Sequence, residues 1–169
     1  MRRLVLAICL VPFMWAGAAA QSTPGLASDL ARDWSAQKTR LVDLAEAMPA
    51  DKYEFKATPA QRSYAEQLLH LAEAHVSMLK RLDPKGAVPA PTLSKDHSRD
   101  AVVRSLAAAY DYGLSVITSD PARDWAAAQG DGPSPARTVW AAMNNASNHY
   151  GQCVVYLRLN GIVPPASRR

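Results

Sequence analysis

The chain of 169 residues is short of most features that would betray an activity. Cysteine occurs only twice, at positions 9 and 153, so a multiply stapled scaffold is excluded and stability has to come from packing. Charge of one sign is not in excess: 19 Lys and Arg stand against 15 Asp and Glu, without a basic run of five or six. A nucleic-acid footprint is therefore not expected. No Val/Ile/Thr-rich alternating run is bounded by turn residues, and no repeat recurs at a period of about 20 to 50 residues, which excludes all-β and solenoid architectures. Gly-x-Ser-x-Gly, a phosphate-cradling glycine loop, a dinucleotide fingerprint and His-Glu-x-x-His are also missing. Serine-triad hydrolysis, nucleotide turnover and redox cofactor chemistry thus lack visible machinery.

What is present begins with Arg2 and Arg3, an apolar run from Leu4 to Trp15, and a small-residue stretch ending in Ala18-Ala19-Ala20. These are the zones of a secretory signal peptide, residues 1–20, with cleavage expected after Ala20. A membrane anchor is the rival reading. The uncharged stretch is barely long enough to span a bilayer, and the Ala-x-Ala ending favours removal, so no stable membrane span is expected after cleavage. Cys9 lies inside the apolar run, not at its end where a lipid-bearing cysteine would sit. Cleavage takes away Arg2 and Arg3 and no acidic residue, so the formal charge falls from +4 to +2 and Cys153 is left without an internal partner. The remaining 21–169 is the length of one domain with a real core. An exported protein, periplasmic or secreted, is expected.

The twelve prolines leave four windows long enough for bundle helices. The first, about 26–48, carries Leu26, Leu30, Trp34, Leu41, Leu44 and Met48 at helical spacing. The second opens at Thr58-Pro59, with Gln61 placed to complete a capping box. Its face of Tyr64, Leu68, Leu71, His75, Met78 and Leu82 is widened by Leu69, Ala72, Val76 and Leu79, which predicts contact with two neighbours. Ser94 is a candidate cap for the third helix, whose inward face holds Val103, Leu106, Ala107, Tyr110, Leu114 and Ile117. Residues 119–133 form a lid or a plain connector, with room for a helical turn near Trp125. Ser134-Pro135 opens the fourth helix, Gly161 stops it and Pro164-Pro165 prevents resumption. The prediction is an all-α four-helix bundle with a core over about 26–163, either up-and-down or with a long crossover.

On a helix, residues four apart lie one above the other, so a ligand pair at that spacing can share one metal ion with a third ligand from a facing helix. The fourth helix offers Asn145 and His149 at that spacing, with Gln152 one turn on. This flank lies beside the apolar stripe of Val139, Met143, Ala146, Tyr150, Val154 and Leu157, at a groove edge. On the second helix His70 points away from the apolar centre, on the side of Glu66 and Glu73, whereas His75 points inward and is expected to find one partner. His97 is expected solvated in the first turn of the third helix. Cys153 reads as a small buried hydrophobe. Trp34, Trp125 and Trp140 fit core or loop anchors. Gly113 and Gly151 interrupt helices, which predicts a close contact between the third and fourth helices.

The ending from His149-Tyr150-Gly151-Gln152 to Pro165, together with Leu68-Leu69-His70-Leu71, resembles the DinB-like (YfiT-like) four-helix-bundle family over roughly 26–165. In that family the last helix carries two metal-binding histidines four residues apart, the second opening a His-x-Gly-Gln sequence. By this resemblance His70 matches the second-helix ligand, His149 the latter of the fourth-helix pair, and Asn145 stands where the remaining histidine would be. Glu73 and Gln152 are further candidate ligands.

The resemblance implies metal-dependent, thiol-using transferases and isomerases, many members without an assigned activity, and frequent homodimers. An imidazole is a good ligand for zinc or nickel; a neutral amide oxygen is a weaker one. Export also separates the chain from cytosolic thiol cosubstrates. The expected function is accordingly an exported ligand-binding or stress-related bundle with a degenerate metal site. The alternative is a divalent-metal-dependent hydrolase or transferase using His70 and His149. Without a metal, the two rings would be groove-edge polar groups that hold helices 2 and 4 in register.

Overall fold

The computed structural model describes residues 24–128 and 130–168. The leader 1–20, with its expected cleavage, lies outside these residues. Four helices are present, α1 (Pro24–Ala47), α2 (Tyr64–Lys80), α3 (Arg99–Thr118) and α4 (Pro135–Leu159), and there is no strand among the described residues. No described helix is long and apolar enough to cross a membrane.

Helix ends follow local capping chemistry. Ser134 accepts from the Arg137 N–H with Pro135 in the first turn, and α4 stops ahead of Gly161, whose φ of 72° is a left-handed conformation that glycine adopts without strain. The start of α2 differs from the sequence reading. Thr58 and Gln61 make only a turn, while Ser63 and Glu66 form a reciprocal capping box, at 3.2 Å and 2.6 Å. A carboxylate at the positive end of a helix outcompetes the neutral Gln61 amide. Ser94 likewise does not cap α3. Asp96 accepts from both the N–H and the hydroxyl of Ser98, and the helix starts at Arg99.

Cross-helix hydrogen bonds fix the directions. Tyr64 Oη donates to the Leu44 carbonyl at 2.6 Å and an Arg99 Nη2–H to that of Glu46 at 3.1 Å, so α1 ends where α2 and α3 begin. Trp34 Nε1–H reaches Tyr110 O at 2.8 Å, so α3 runs antiparallel to α1. His75 Nε2–H donates to Ala142 O at 3.1 Å and Tyr156 Oη to Arg62 O at 2.6 Å, so α4 runs antiparallel to α2. α2 and α3 are therefore parallel, and residues 81–98 return along the length of the bundle. This is the crossover form of the predicted bundle, not the simple up-and-down form.

α1 and α2 each pack along both α3 and α4, which places α3 and α4 across a diagonal. The expected contact of Gly113 with Gly151 is thus absent. Gly113 faces the Trp34 indole so closely that a Cβ would overlap the ring, whereas a Cβ at Gly151 meets nothing. Residues 119–133 carry turns but no helix among the described residues, with Trp125 buried beneath the Arg123 guanidinium. They are a connector.

The two glycines make opposite predictions. Gly113→Ala should lower stability in urea unfolding by about 1–3 kcal/mol, since overpacking outweighs the propensity gain. Gly151→Ala should raise it by about 0.5–1 kcal/mol.

Candidate functional site

The antiparallel packing of α2 on α4 brings a repeated spacing face to face, Gln67 with His70 on one helix and His149 with Gln152 on the other. The imidazoles of His70 and His149 meet with centroids 5.4 Å apart and planes inclined at 59°. Gln67, only 3% exposed, places its Nε2 2.9 Å from His149 Nδ1 and also donates to Gln152 Oε1. Sequence reasoning missed Gln67. The matching Gln-x-x-His and His-x-x-Gln spacings on two helices were the signal that could have found it.

His149 does not lie at a groove edge as its position beside the apolar stripe predicted. It is buried in line with Val139, Ala142, Ala146, Cys153 and Tyr156, while Met143, Tyr150 and Val154 are only partly covered. α4 touches two neighbours, so its covered face is rotated and broader than the purely apolar stripe, and Gln67 satisfies the polar nitrogen thus enclosed. Burial, then the neighbouring His70, then Arg62 hold His149 below the ordinary histidine pKa. Its ring is neutral near pH 7, the form that can accept or ligate.

Asn145, one turn before His149, is half-buried, and its Oδ1 is enclosed with no hydrogen-bond partner among the described residues. An unmatched buried acceptor costs about 1–3 kcal/mol, so this oxygen would be stabilised by a donor or a cation. Gln152 is exposed and bonded to Gln67. Glu73 is exposed and lines, with Arg62, Glu66, His70, Lys95 and His97, a groove of about 480 Å³ between α2 and the crossover. Glu66 is engaged in the capping box and by Lys56 at 3.4 Å. His97 precedes α3 and is not merely solvated, since its Nδ1 lies 2.8 Å from Glu54 Oε1. A larger hollow of about 580 Å³, around Leu82, Lys85, Asp120 and Arg123, contains no histidine.

The chain matches the DinB family over residues 21–168 and belongs to it. No curated protein matches it.

The resemblance implies a divalent metal, and the donor set can be tested against one. Two facing imidazoles, with an orphaned amide oxygen one helical turn from His149, offer at most a weakly held ion with open positions. They do not reproduce a three-imidazole centre, and no group of three or more His, Cys, Asp or Glu side chains suited to an ion is gathered among the described residues. The remaining thiol is remote from such chemistry, because burial pushes Cys153 up to about 12.

His75 lies beneath this site in the core, with its ring 5.0 Å from that of Trp34 and 4.9 Å from that of Tyr110. Burial lowers its pKa from 6.5 to about 4, against a smaller upward pull from the Ala142 carbonyl. The unfolded chain therefore binds a proton more readily than the folded one between these values. The stability gained by keeping the ring neutral is present above pH 6.5 and lost as pH falls toward 4. Urea unfolding at pH 7 and pH 5 should show this loss at a slope approaching about 1.4 kcal/mol per pH unit, and His75→Phe should show a shallower slope. Separately, Cys153 should react with a disulfide reagent only when the chain is unfolded, as thiol titration in the presence and absence of denaturant would show.

Proposed function

We propose that this DinB-family chain is an exported bundle that binds a ligand, or serves stress tolerance, without chemistry of its own, the polar seam between α2 and α4 being a degenerate metal site. The reading is supported by the third position: one turn before His149, which meets His70, α4 carries the neutral amide of Asn145 and no third imidazole. Export is supported by the Arg2-Arg3, apolar and Ala-x-Ala zones of residues 1–20.

A second reading, a divalent-metal-dependent hydrolase or transferase, draws support from the same place. Asn145 Oδ1 is buried without a partner and the neutral His149 ring sits against His70. In that reading His70 and His149 would hold zinc or nickel, with Asn145 third and Gln152 or Glu73 in reserve. The bound ion would polarise a carbonyl or activate water.

Elemental analysis of the mature protein after growth with zinc and nickel, repeated on His149→Ala, separates the two. The favoured reading predicts substoichiometric metal in both proteins and a melting midpoint that added metal hardly moves. One ion per chain, lost in His149→Ala, would replace it with the metal enzyme.

A further inference from the structure

Gln67 does more than join two helices. Its carboxamide has one face that donates and one that accepts, and it meets two groups at once, His149 Nδ1 and the Gln152 amide. In the arrangement seen, Gln67 Nε2 donates to both, so the neutral His149 ring must carry its proton on Nε2. With both carboxamides turned over, Gln67 Oε1 accepts from His149 Nδ1–H and from Gln152 Nε2–H, and the proton of His149 sits on Nδ1. Turning only one amide would set oxygen against oxygen or N–H against N–H. The two amides therefore turn together. Gln67 is buried while Gln152 is exposed, so the pair has one end fixed in the packing and one end at solvent.

His149 Nε2 makes no hydrogen bond among the described residues, and the ring lies tilted against that of His70. Its character is decided on the other side of the ring. We propose that Gln67, together with Gln152, is the positioning residue of this seam: the amide pair sets which nitrogen of His149 is protonated, and so presents Nε2 as a hydrogen-bond donor or as an electron pair for a divalent ion. The inference rests on the reading of the α2–α4 seam as the binding site. A histidine that ligates through one nitrogen needs an acceptor for the N–H of the other. A carboxylate in the place of Gln67 would supply only that arrangement, whereas the amide supplies both. The seam is thereby ambivalent: loading it with an ion requires the amide pair to turn, which a permanently metal-bound protein would not need.

The test uses the full mature chain as wild type, Gln67→Glu, Gln67→Met and, on the exposed side where folding is safe, Gln152→Ala. Imidazole nitrogen NMR reads the His149 tautomer at pH 8, and competition with a chromophoric chelator reads zinc affinity. Wild type should show the Nε2–H form, converting to Nδ1–H when zinc chloride is added. Gln67→Glu should hold Nδ1–H without zinc and bind the ion about tenfold more tightly, and Gln67→Met should show mixed tautomers and bind about tenfold more weakly. Gln152→Ala should mix the tautomers while leaving the melting midpoint close to wild type. A wild-type tautomer signature that persists in both Gln67→Met and Gln152→Ala would overturn the proposal. Failure of zinc to bind any variant, with the tautomers changing as stated, would instead remove the divalent-ion reading and leave the role of Gln67 standing.

Discussion

Three helices meet at one buried indole, and the fourth is tied to it through the indole's neighbours. Trp34 donates from α1 to Tyr110 O on α3, lies against Gly113 of α3, and packs tilted against His75 of α2 with ring centroids 5.0 Å apart. His75 passes the contact on to Ala142 of α4, and Tyr110 Oη donates at 3.1 Å to Gln37, whose own amide donates at 2.9 Å to Met143 O. Polar atoms on bulky rings can be enclosed only where a partner waits in the right direction. Such bonds specify register, whereas leucines alone would tolerate sliding.

The candidate site inherits that register. His75 opposite Ala142 sets α2 against α4, and a turn or two along the same seam this alignment delivers Gln67 to His149 and His70 to the same ring. The Tyr156 hydroxyl on the Arg62 carbonyl closes the seam at its far end. The seam also holds more acceptors than donors, since His75 Nδ1 and Asn145 Oδ1 are both enclosed without a partner. Membership of the DinB family accounts for the architecture. Within that architecture, position 145 of this chain carries an amide whose oxygen is enclosed without a partner among the described residues.

Much of this was legible in the amino acids. The prolines and the Ser134-Pro135 and Gly161 signals bounded α4 closely, because backbone chemistry at helix ends is local. The meeting of His70 with His149 followed from a family resemblance, not from spacing, since nothing within one helix says which other helix it will face. The sequence reading set the capping box at Thr58 and Gln61 and passed over Ser63-x-x-Glu66 five residues on, whose charged Glu66 makes it the box that forms. The diagonal placement of α3 and α4 was invisible for a different reason: Gly113 signals close approach but not by what, and the answer, Trp34, lies far away in the sequence. The burial of His149 was missed because an apolar stripe marks where a helix is greasy, and a helix wedged between two neighbours is covered beyond its greasy part.

The return of residues 81–98 along the bundle has a bearing on how the chain matures. α2 and α3 run the same way, so the first three helices cannot close as successive hairpins, and the wall of α2 that carries Gln67 and His70 stays bare until α4 arrives. α4 follows the other three helices in the chain and is synthesised after them. Until then His75 has no carbonyl to receive its proton and the polar seam faces water. Arrival of α4 and assembly of the site are one event, so a chain cut short before this helix leaves Gln67 and His70 without their partners.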